Sequence, residues 1–418
     1  MRTVSLREHE TASVGDQPGD KRFSVSEVEA LDRAQRIVGV EAFRWKSRSQ
    51  IKAAQHVGMV ATSNVRLEVL PKIEGLGLGE TRRTLVRMIG IAWDVPVRDG
   101  EITAHDCQNH DLLELLIGLF ARRLQNQVRN GLSRAYRRRN DDLSRLRGKL
   151  DVTRQFTRLA TSPQKLACQY HEFTADTALN RLFLCAVTFL RRCSERADTQ
   201  RLLNEIVAHF EDVQTVSTSE ALAGKVLLDR VNRRWEISAT LARLLLSTIY
   251  QTAHGGKREG VALLFDMNRL FESYVASLAR RVCVPLGYKM STQGPRRCLA
   301  ISGAGLSAFH IRPDMHLERD GVVVVLDTKW KPIDLSRPDF DVAREDAYQM
   351  HGYAHVYGSH ATILLYPHHQ GVMGPPGLQA LWRFEPGGAV LRLATIDVAN
   401  PGEFAVTLRS LLYEASPS

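Results

Sequence analysis

The sequence predicts a mixed α/β fold, an α+β arrangement in which a smaller β-containing N-terminal domain precedes helices and a C-terminal α/β core. Two observations carry this prediction. Asp320 and Gly321 separate an alternating segment from a continuous apolar one, which is a strong local signal for a β-hairpin. Helical patterns flank that hairpin at residues 265–282 and 346–354, and a strand pattern follows at residues 361–367. This order of helix, hairpin, helix and strand is typical of an α/β core.

The earlier part of the chain has its own order of elements. Residues 1–20 are polar and contain Gly15, Pro18 and Gly19, so they are predicted to be a disordered tail. Residues 57–73 predict two strands joined near Ser63. Helical patterns follow at residues 111–136, 177–210 and 226–250, and a last strand is predicted at residues 389–398.

Length and composition fit a water-soluble protein of two or three domains. The chain has 418 residues, and no apolar run approaches the 18 residues of a membrane span. Its N-terminus lacks the hydrophobic segment of a signal peptide, so a cytoplasmic location without membrane contact is predicted. The six cysteines are scattered without the paired spacing of zinc sites.

The net charge of +10 is concentrated in one segment. Residues 122–158 hold twelve Arg or Lys and three Asp, which gives this stretch about +9. Such a cluster can neutralise DNA phosphates, or it can dock an acidic protein partner. Arg137, Arg138 and Arg139 are consecutive, so on a helix they would spread around its circumference.

The predicted hairpin brings three charged residues to one face. With Asp320 and Gly321 in the turn, Asp314 lies opposite Asp327, and opposed Cβ atoms in a sheet are roughly 4.5 to 5.5 Å apart. Lys329 returns to the same face because side chains alternate along a strand. Two carboxylates at this distance repel each other unless a cation or a proton intervenes.

Carboxylate oxygens suit Mg²⁺, with Mn²⁺ as an alternative, and the chemistry that fits is phosphodiester hydrolysis. A nearby lysine can orient the attacking water or stabilise the developing charge. The rival interpretation is a solvated edge with a weak surface ion pair. The apolar stretch before Asp327 predicts a covered strand, which favours a site.

At this point the residues resemble a known family. Pro313-Asp314 followed by Asp327-x-Lys329 is similar to the signature of the PD-(D/E)xK nuclease superfamily. The flanking segments FDMNRLFESYV, which contains Glu272, and DAYQMHGYA, which contains Gln349 and Tyr353, resemble helices of the McrC family of McrBC-type restriction systems for modified DNA. Three earlier segments also resemble McrC: RLEVLPKI, GLSRAYRRRNDDLSRLRGKLD and DTALNRLF.

The resemblance implies a restriction-endonuclease-like core with helical elaboration and a set of site residues. It implies that Asp314, Asp327 and Glu272 hold the metal and that Lys329 activates or positions water. Gln349 and Tyr353, four residues apart on one helical face, would orient the active site or the DNA backbone. Taken alone, Glu272 would be an ordinary glutamate at the flank of an apolar stripe, and the Gln–Tyr pair would be structural.

The resemblance also implies a division of labour. A McrB-like AAA+ GTPase would recognise modified cytosine in double-stranded DNA and translocate it. Residues 21–160 would dock on that GTPase and stimulate it, with the basic segment 122–158 taking part, while residues 161–418 would cut, with a nuclease core at about 257–400. Nothing in the chain matches a P-loop, so it is not expected to hydrolyse nucleotide itself.

Two alternatives use the same residues. One is a stand-alone DNA repair nuclease of the RecB-like kind, which the same hairpin would serve. The other is a non-catalytic activator or scaffold of an AAA+ motor that carries a relic of the nuclease site. The presence of Asp314, Asp327 and Lys329 together weighs against a relic.

Overall fold

The structure is a computed structural model, and it describes residues 2–98, 100–226, 228–230, 232–254, 257–334, 337, 339–385 and 388–413. For residues 250–254 and 257–259 it describes the backbone only. The predicted mixed α/β fold is confirmed, because helices and several mixed sheets share the described part of the chain. None of the described helices is both long enough and apolar enough to span a membrane.

Strands and helices occur in short groups along the described part of the chain. The strands are β1 (Arg2–Arg7), β2 (Thr11–Gly15), β3 (Arg22–Ser24), β4 (Phe43–Ser47), β5 (Gln50–Ala53), β6 (His56–Thr62), β7 (Val65–Leu70), β8 (Ala135–Leu143), β9 (Lys149–Leu150), β10 (Leu166–Thr174), β11 (Ile249–His254), β12 (Lys257–Asp266), β13 (Lys289–Thr292), β14 (Arg297–Ile301), β15 (Ser307–Ile311), β16 (Met315–Arg319), β17 (Val322–Thr328), β18 (Ala361–Pro367), β19 (Gly377–Arg383) and β20 (Val390–Ile396).

The helices fall between these strands and at the C-terminal end. They are α1 (Val25–Val38), α2 (Leu78–Ala92), α3 (Ala104–Asn109), α4 (Leu112–Val128), α5 (Val152–Thr157), α6 (Ala178–Cys193), α7 (Ala197–Ala208), α8 (Thr218–Ala223), α9 (Glu236–Thr248), α10 (Met267–Cys283), α11 (Arg344–Tyr357) and α12 (Pro401–Tyr413), with a 3₁₀ turn at Arg233–Trp235.

The chain forms two compact units. The first, here called the principal unit, combines Met1–Leu115 with Tyr250–Ser418, and the second, the insert unit, is Leu116–Ile249. This division differs from the expected boundary near residue 160. The reason is a long-range pairing: β6 lies antiparallel to β12, with Val57 opposite Phe265, so N-terminal strands share a sheet with a strand expected in the nuclease core.

The N-terminal residues belong to the principal unit's sheets. β1 pairs parallel with β7, and β2 pairs antiparallel with β5, so the prediction of a disordered tail for residues 1–20 is wrong. Val4, Leu6, Ala12 and Val14 alternate with polar residues and are buried in one hydrophobic core. Because side chains alternate between the two faces of a strand, these four apolar residues are enough to bury one face of each strand. The polar residues, glycines and proline of this segment make its overall composition resemble that of a disordered tail.

Two sheets make up this N-terminal half of the principal unit. One has the order β1-β7-β6-β12-β11 and the other β3-β2-β5-β4. The strands predicted at residues 57–73 are confirmed as β6 and β7, which pair antiparallel. Gly58 has a φ of 135°, and β12 passes so close that an added Cβ would lie 1.9 Å from the carbonyl oxygen of Leu263.

The C-terminal half of the principal unit is built on a six-stranded sheet of order β13-β16-β17-β18-β20-β19. β17, β18 and β20 are parallel to one another, and the other pairings are antiparallel. These central strands are almost continuously apolar, as expected for strands covered on both faces. α11 connects β17 to β18 and packs on the sheet through Met350, Tyr353 and Tyr357.

The insert unit contains a three-stranded sheet of order β8-β10-β9 and the helices α5 to α9. The basic residues 137–139, treated in the sequence as helical, instead lie in strand β8. α4 ends at Val128, and Gly131, with a φ of 82°, lets the chain turn before the strand begins. A diagonal contact with β10 favours the strand: Arg139 lies opposite Tyr170, and its Nε donates to Oε2 of Glu172, two residues further along β10, at 2.9 Å.

Candidate active site

The hairpin of β16 and β17 has the predicted register. Arg319 lies opposite Val322 and Met315 lies opposite Leu326, with Asp320 and Gly321 in the turn. Both turn residues have positive φ, 52° and 78°, as a type I′ turn requires. The register is local in origin, because an Asp-Gly turn fixes which residues face each other.

The hairpin brings Asp314 to the carboxyl end of β17. Asp314 directly precedes Met315, whose partner Leu326 directly precedes Asp327. Its Oδ2 accepts hydrogen bonds from the Thr328 backbone N at 2.8 Å and from the Thr328 hydroxyl at 2.7 Å. The side chain of Asp314 is therefore tied to the end of the neighbouring strand, beside Asp327.

Asp327 is buried, with 2% of its surface exposed, and Lys329 is its ion-pair partner. The Lys329 Nζ lies 2.7 Å from Asp327 Oδ2. The Lys329 backbone N donates to the Leu365 carbonyl at 3.0 Å, which fixes the lysine against β18. The three residues expected on one face, Asp314, Asp327 and Lys329, are thus brought together.

The carboxylate of Asp314 lies close enough to that of Asp327 to perturb its ionisation. Burial raises the pKa of Asp327 to about 7, the negative charge of Asp314 adds to this, and the Lys329 ammonium opposes it. Burial lowers the pKa of Lys329, but the charge and hydrogen bond of Asp327 outweigh it, so that the pKa is raised. Asp327 therefore sits in a site that favours a proton or a bound cation over a bare charge.

Glu272 lies on α10, near Asp314. Asp266 caps this helix, its side chain accepting from the backbone N of Asn268 at 2.9 Å. Burial raises the pKa of Glu272, and the charge of Asp314 raises it further. The Gln293 side chain donates a hydrogen bond to Glu272, and the Gln293 backbone N donates to the Asp314 carbonyl at 2.6 Å. Gln293 thus links the two acids.

Gln349 and Tyr353 extend the site along α11. The Lys329 Nζ donates to Gln349 Oε1 at 3.1 Å, and Gln349 Nε2 donates to the Tyr353 hydroxyl at 2.7 Å. That hydroxyl donates in turn to the Arg312 carbonyl at 2.8 Å, two residues before Asp314. The predicted helical pair therefore connects the lysine to the strand entrance that positions Asp314.

Two residues of this cluster were missed in the sequence. The Asp346 carboxylate lies 3.5 Å from Lys329 Nζ and 2.6 Å from Lys331 Nζ. Asp346 is three residues before Gln349, so the helical spacing used for Gln349 and Tyr353 could have identified it. Gln293 carries no such signal, because it reaches Glu272 and Asp314 from a separate strand end with a φ of 51°.

The donor chemistry of the site fits a hard divalent cation. Asp314 and Asp327 present carboxylate oxygens side by side, and the raised pKa of the buried acid reflects a charge that a cation would compensate. Within the residues that the structure describes, no three His, Cys, Asp or Glu side chains converge at the spacing of a metal site. Asp314 and Asp327 are the carboxylates of this cluster that could hold such an ion, and Glu272, the third residue predicted to hold it, adjoins Asp314 through Gln293.

Comparisons with known proteins agree on one family. A family model described as McrBC 5-methylcytosine restriction system component matches residues 51–367. A comparison with curated proteins gave no significant match.

Two solved structures share the fold. One is the refined half-complex from a tetradecameric assembly of Thermococcus gammatolerans McrB AAA+ hexamers with bound McrC. A chain of it is 21% identical with a TM-score of 0.69, over 98% of this chain and 100% of that chain. The other is the cryo-EM structure of the T. gammatolerans McrBC complex, 24% identical with a TM-score of 0.52, over 67% of this chain and 87% of that chain. Since the family model spans most of the sequence, the chain belongs to the family of McrBC 5-methylcytosine restriction system components.

Proposed function

We propose that this chain is the McrC-type nuclease subunit of a modification-dependent restriction system. It hydrolyses DNA phosphodiesters at a Mg²⁺-dependent PD-(D/E)xK site when it is joined to a McrB-like AAA+ GTPase, which it also stimulates. Membership of the McrBC family supports the assignment to a restriction system. The likeness in fold to a chain of an McrB assembly with bound McrC supports the assignment to the McrC-type subunit. The alternative of a stand-alone nuclease lacks such support.

The observation that carries the nuclease proposal is the meeting of Asp314, Asp327 and Lys329 at the carboxyl end of β17. Catalytic groups in open α/β sheets collect at this end of the strands. The cluster is half-buried and charged, with an acid whose pKa is raised to about 7. Clusters of this kind are more frequent at functional sites than at structural ones.

Each residue of the cluster has a chemical task in this proposal. Asp314 and Asp327 would hold the Mg²⁺, which would supply Lewis-acid polarisation of a phosphoryl oxygen and lower the pKa of water. Lys329 orients the attacking water and stabilises the negative charge that develops on the phosphoryl oxygens. Hydrolysis adds that water across the phosphorus–oxygen bond.

The surrounding residues position this machinery. Gln349 accepts from Lys329 and is itself held by Tyr353, so the pair fixes the direction of the ammonium. Asp346 is a second anchor for the same ammonium. Glu272 extends the negative potential on the side of Asp314, where it helps to place water around the cation.

The partner contacts are proposed for the insert unit. Strand β8 and its surroundings carry much of the basic segment 122–158, and Tyr136 and Phe173 are exposed there as neighbouring rings 5.0 Å apart. Exposed aromatic and arginine side chains together are typical of protein interfaces. The GTPase ring would bind here, recognise modified cytosine and deliver double-stranded DNA to the site.

The test of the nuclease proposal is Lys329→Ala. We expect cleavage of methylated DNA by the complex with its GTPase partner to fall by at least about a hundredfold, because the charge-stabilising group is lost. Folding, partner binding and stimulation of GTP hydrolysis should persist, since the lysine is a site residue. Lys289→Ala, an exposed lysine on β13 of the same sheet, is the matched control and should cut normally.

Unchanged cleavage by the Lys329→Ala protein would overturn the assignment. Cleavage of unmodified DNA by the purified chain without any GTPase would instead support the stand-alone nuclease.

A further inference from the structure

A two-stranded ribbon adjoins the candidate active site. It consists of β14 and β15, which pair antiparallel with Arg297 opposite Ile311 and pair with no other strand that the structure describes. Both ends of the ribbon lead into the site. Gln293, four residues before β14, donates a hydrogen bond to Glu272, and Asp314 follows the last residue of β15 by three positions. The ribbon is therefore joined directly to the acids of the candidate site.

The base of the ribbon is held by hydrogen bonds to carbonyl groups. Arg297 Nη1 donates to the Val356 carbonyl of α11 at 2.8 Å. Arg312 Nε donates to the Gln293 carbonyl at 2.6 Å, which joins the two ends of the ribbon to each other. The position of the ribbon is thus set by the same helix that carries Gln349 and Tyr353.

The outer part of the ribbon is apolar and exposed. Leu299, Ile301, Leu306 and Phe309 each have between 50% and 73% of their surface exposed. Ile301 and Leu306 flank the turn, in which the Ser302 backbone N donates to the Leu306 carbonyl at 2.8 Å. Phe309 has a φ of 51°, which is unusual for so large a side chain. Several large apolar side chains exposed on one ordered ribbon indicate a surface that binds a partner.

The charge of the ribbon identifies the kind of partner. Residues 293–312 contain Arg296, Arg297 and Arg312 and no Asp or Glu, so three positive charges and no negative ones give this segment +3. Arg297 and Arg312 bind uncharged carbonyl groups, and those contacts leave their charges uncompensated. Arg296 is exposed. A polyanion fits this surface, whereas a second copy of the ribbon would bring like charges together.

We propose that this ribbon is a wedge for double-stranded DNA, whose arginines bind phosphates near the scissile bond while its apolar tip enters the minor groove and unstacks a base step. The proposal rests on the proposed function, which brings DNA to the adjoining acids. Proteins that bind the minor groove insert apolar side chains between base pairs in this way and bend the duplex. Residues 294–312 contain no Asn, Gln, Asp or Glu to read base edges in the major groove, so the contact is independent of sequence.

The length of the ribbon suits this role. β15 has five residues, and at roughly 3.3 Å per residue it extends up to about 17 Å from the site. That length corresponds to about five base pairs, or half a turn of the double helix. The unstacked step would therefore lie within about half a turn of the phosphate that is cut, where a bend changes the path of the strand through the site.

The experiment measures base unstacking by the full chain in EDTA, where no cleavage is needed. A duplex of about 25 base pairs carries 2-aminopurine at a central TA step, which is easily unstacked, and the fluorescence of this base rises when it leaves the stack. The tip variant combines Ile301→Ser with Leu306→Ser, at two exposed side chains. Its matched control combines Ile37→Ser on α1 with Leu381→Ser on β19, which are also more than half exposed.

We expect the wild type to raise the 2-aminopurine fluorescence at saturating protein. The tip variant should reduce this rise by at least about threefold, because serine is too small and too polar to separate two base pairs. The control variant should give the same rise as the wild type. An equal rise in the tip variant, or a wild type that binds the duplex without any rise, would overturn the wedge.

Arg296→Gln tests the phosphate contact. It should reduce the slope of log Kd against log salt concentration by about 0.9, the value for one phosphate. Arg48→Gln, at an exposed arginine in the turn between β4 and β5, is the control and should leave the slope unchanged. Equal slopes for both variants and the wild type would remove the ribbon from the DNA-binding surface.

Sedimentation of the same proteins tests the other occupant, a second copy of this chain. If the tip variant dissociates a dimer that the wild type forms, and the fluorescence rise is unchanged, the ribbon joins two copies and the wedge is overturned.

These outcomes are independent of the nuclease test. If Lys329→Ala abolishes cleavage while the tip variant unstacks DNA as the wild type does, the nuclease proposal stands and the wedge falls. If Lys329→Ala cuts normally while the tip variant loses the fluorescence rise, the wedge stands and the nuclease assignment falls.

Discussion

Replacing Asp327 with asparagine should make the metal-free protein more stable at neutral pH. Asparagine keeps the shape of the side chain but removes a charge that is buried beside Asp314. The change also takes away the partner of Lys329, which retains Asp346 at 3.5 Å and Gln349 at 3.1 Å. The lysine is therefore not left as an unpaired charge, which would cost several kcal/mol.

The size and sign of this change in stability follow from the pKa of Asp327. In the folded protein the pKa of Asp327 is about 7, against 3.8 for the ordinary carboxyl, so the unfolded chain releases this proton first. The stability that the protonated acid contributes is complete below about pH 4 and is lost as pH rises to about 7. The full difference corresponds to roughly 4 kcal/mol of unfolding free energy.

The assay is denaturant unfolding of both proteins in EDTA from pH 4 to pH 8. The stability of Asp327→Asn relative to the wild type should grow across this range by up to roughly 4 kcal/mol. Burial also raises the pKa of Glu8 to about 7. Because Glu8 titrates in both proteins, its contribution cancels in the stability difference. Asp320→Asn, the same change at a turn residue whose side chain is 90% exposed, is the control and should show no such trend.

Millimolar Mg²⁺ supplies the second half of the test. A cation held by Asp314 and Asp327 favours their ionised forms, so Mg²⁺ should raise the melting temperature of the wild type and raise it much less in Asp327→Asn. If the stability difference between the two proteins stays constant with pH, and Mg²⁺ raises both melting temperatures equally, Asp327 is neither destabilised by its buried charge nor a ligand of the cation.

Three further outcomes are expected. Asp346→Asn should lower kcat for DNA cleavage more than it changes KM, because Lys329 loses an anchor but substrate contacts remain; an unchanged kcat would exclude this positioning role. Tyr353→Phe should reduce the unfolding free energy by about 1 kcal/mol, since its hydroxyl joins two hydrogen bonds, and wild-type stability in urea would contradict this. Gly58→Ala should destabilise the protein by roughly 3 kcal/mol or more, because the new Cβ would meet a backbone carbonyl of β12. Gly39→Ala, which has open space around it, is the control and should cost only about 1 kcal/mol. Equal melting temperatures of the two variants would show that β6 and β12 can separate to admit the methyl group.

The parts of the site that the sequence predicts are those set by local geometry. An Asp-Gly turn determines the register of β16 and β17, and that register places Asp314 next to Asp327 without any knowledge of the rest of the chain. Helical spacing does the same for Gln349 and Tyr353, and the observed α11 carries both. The resemblance to McrC added Glu272, which neither spacing nor charge would have selected.

The parts that could not be predicted depend on distant pairings. β6 joins β12 across about two hundred residues of sequence, so no local pattern indicates that the N-terminal strands and the C-terminal half form one unit. The strands at residues 2–15 are short, and their solvent-facing residues are polar, so their sequence cannot be distinguished from that of a disordered tail. Only their pairing with β7 and β5 identifies them as strands. Gln293 reaches the site by a similar route, from a strand end that only the tertiary fold brings near.

The contacts of Lys329 explain why the cluster is suited to activation by a cation. Its ammonium is shared between Asp327 at 2.7 Å, Asp346 at 3.5 Å and Gln349 at 3.1 Å, and only the first is also a proposed metal ligand. When the charge of Asp327 is compensated by a cation, its attraction for the lysine weakens while the other two partners are unaffected. On the proposed function, the ammonium would remain anchored from α11 and would be released on the side of Asp327, where water and phosphate would bind. A lysine held by Asp327 alone would either stay in the ion pair or leave the site, so the two partners on α11 are what would make this exchange productive.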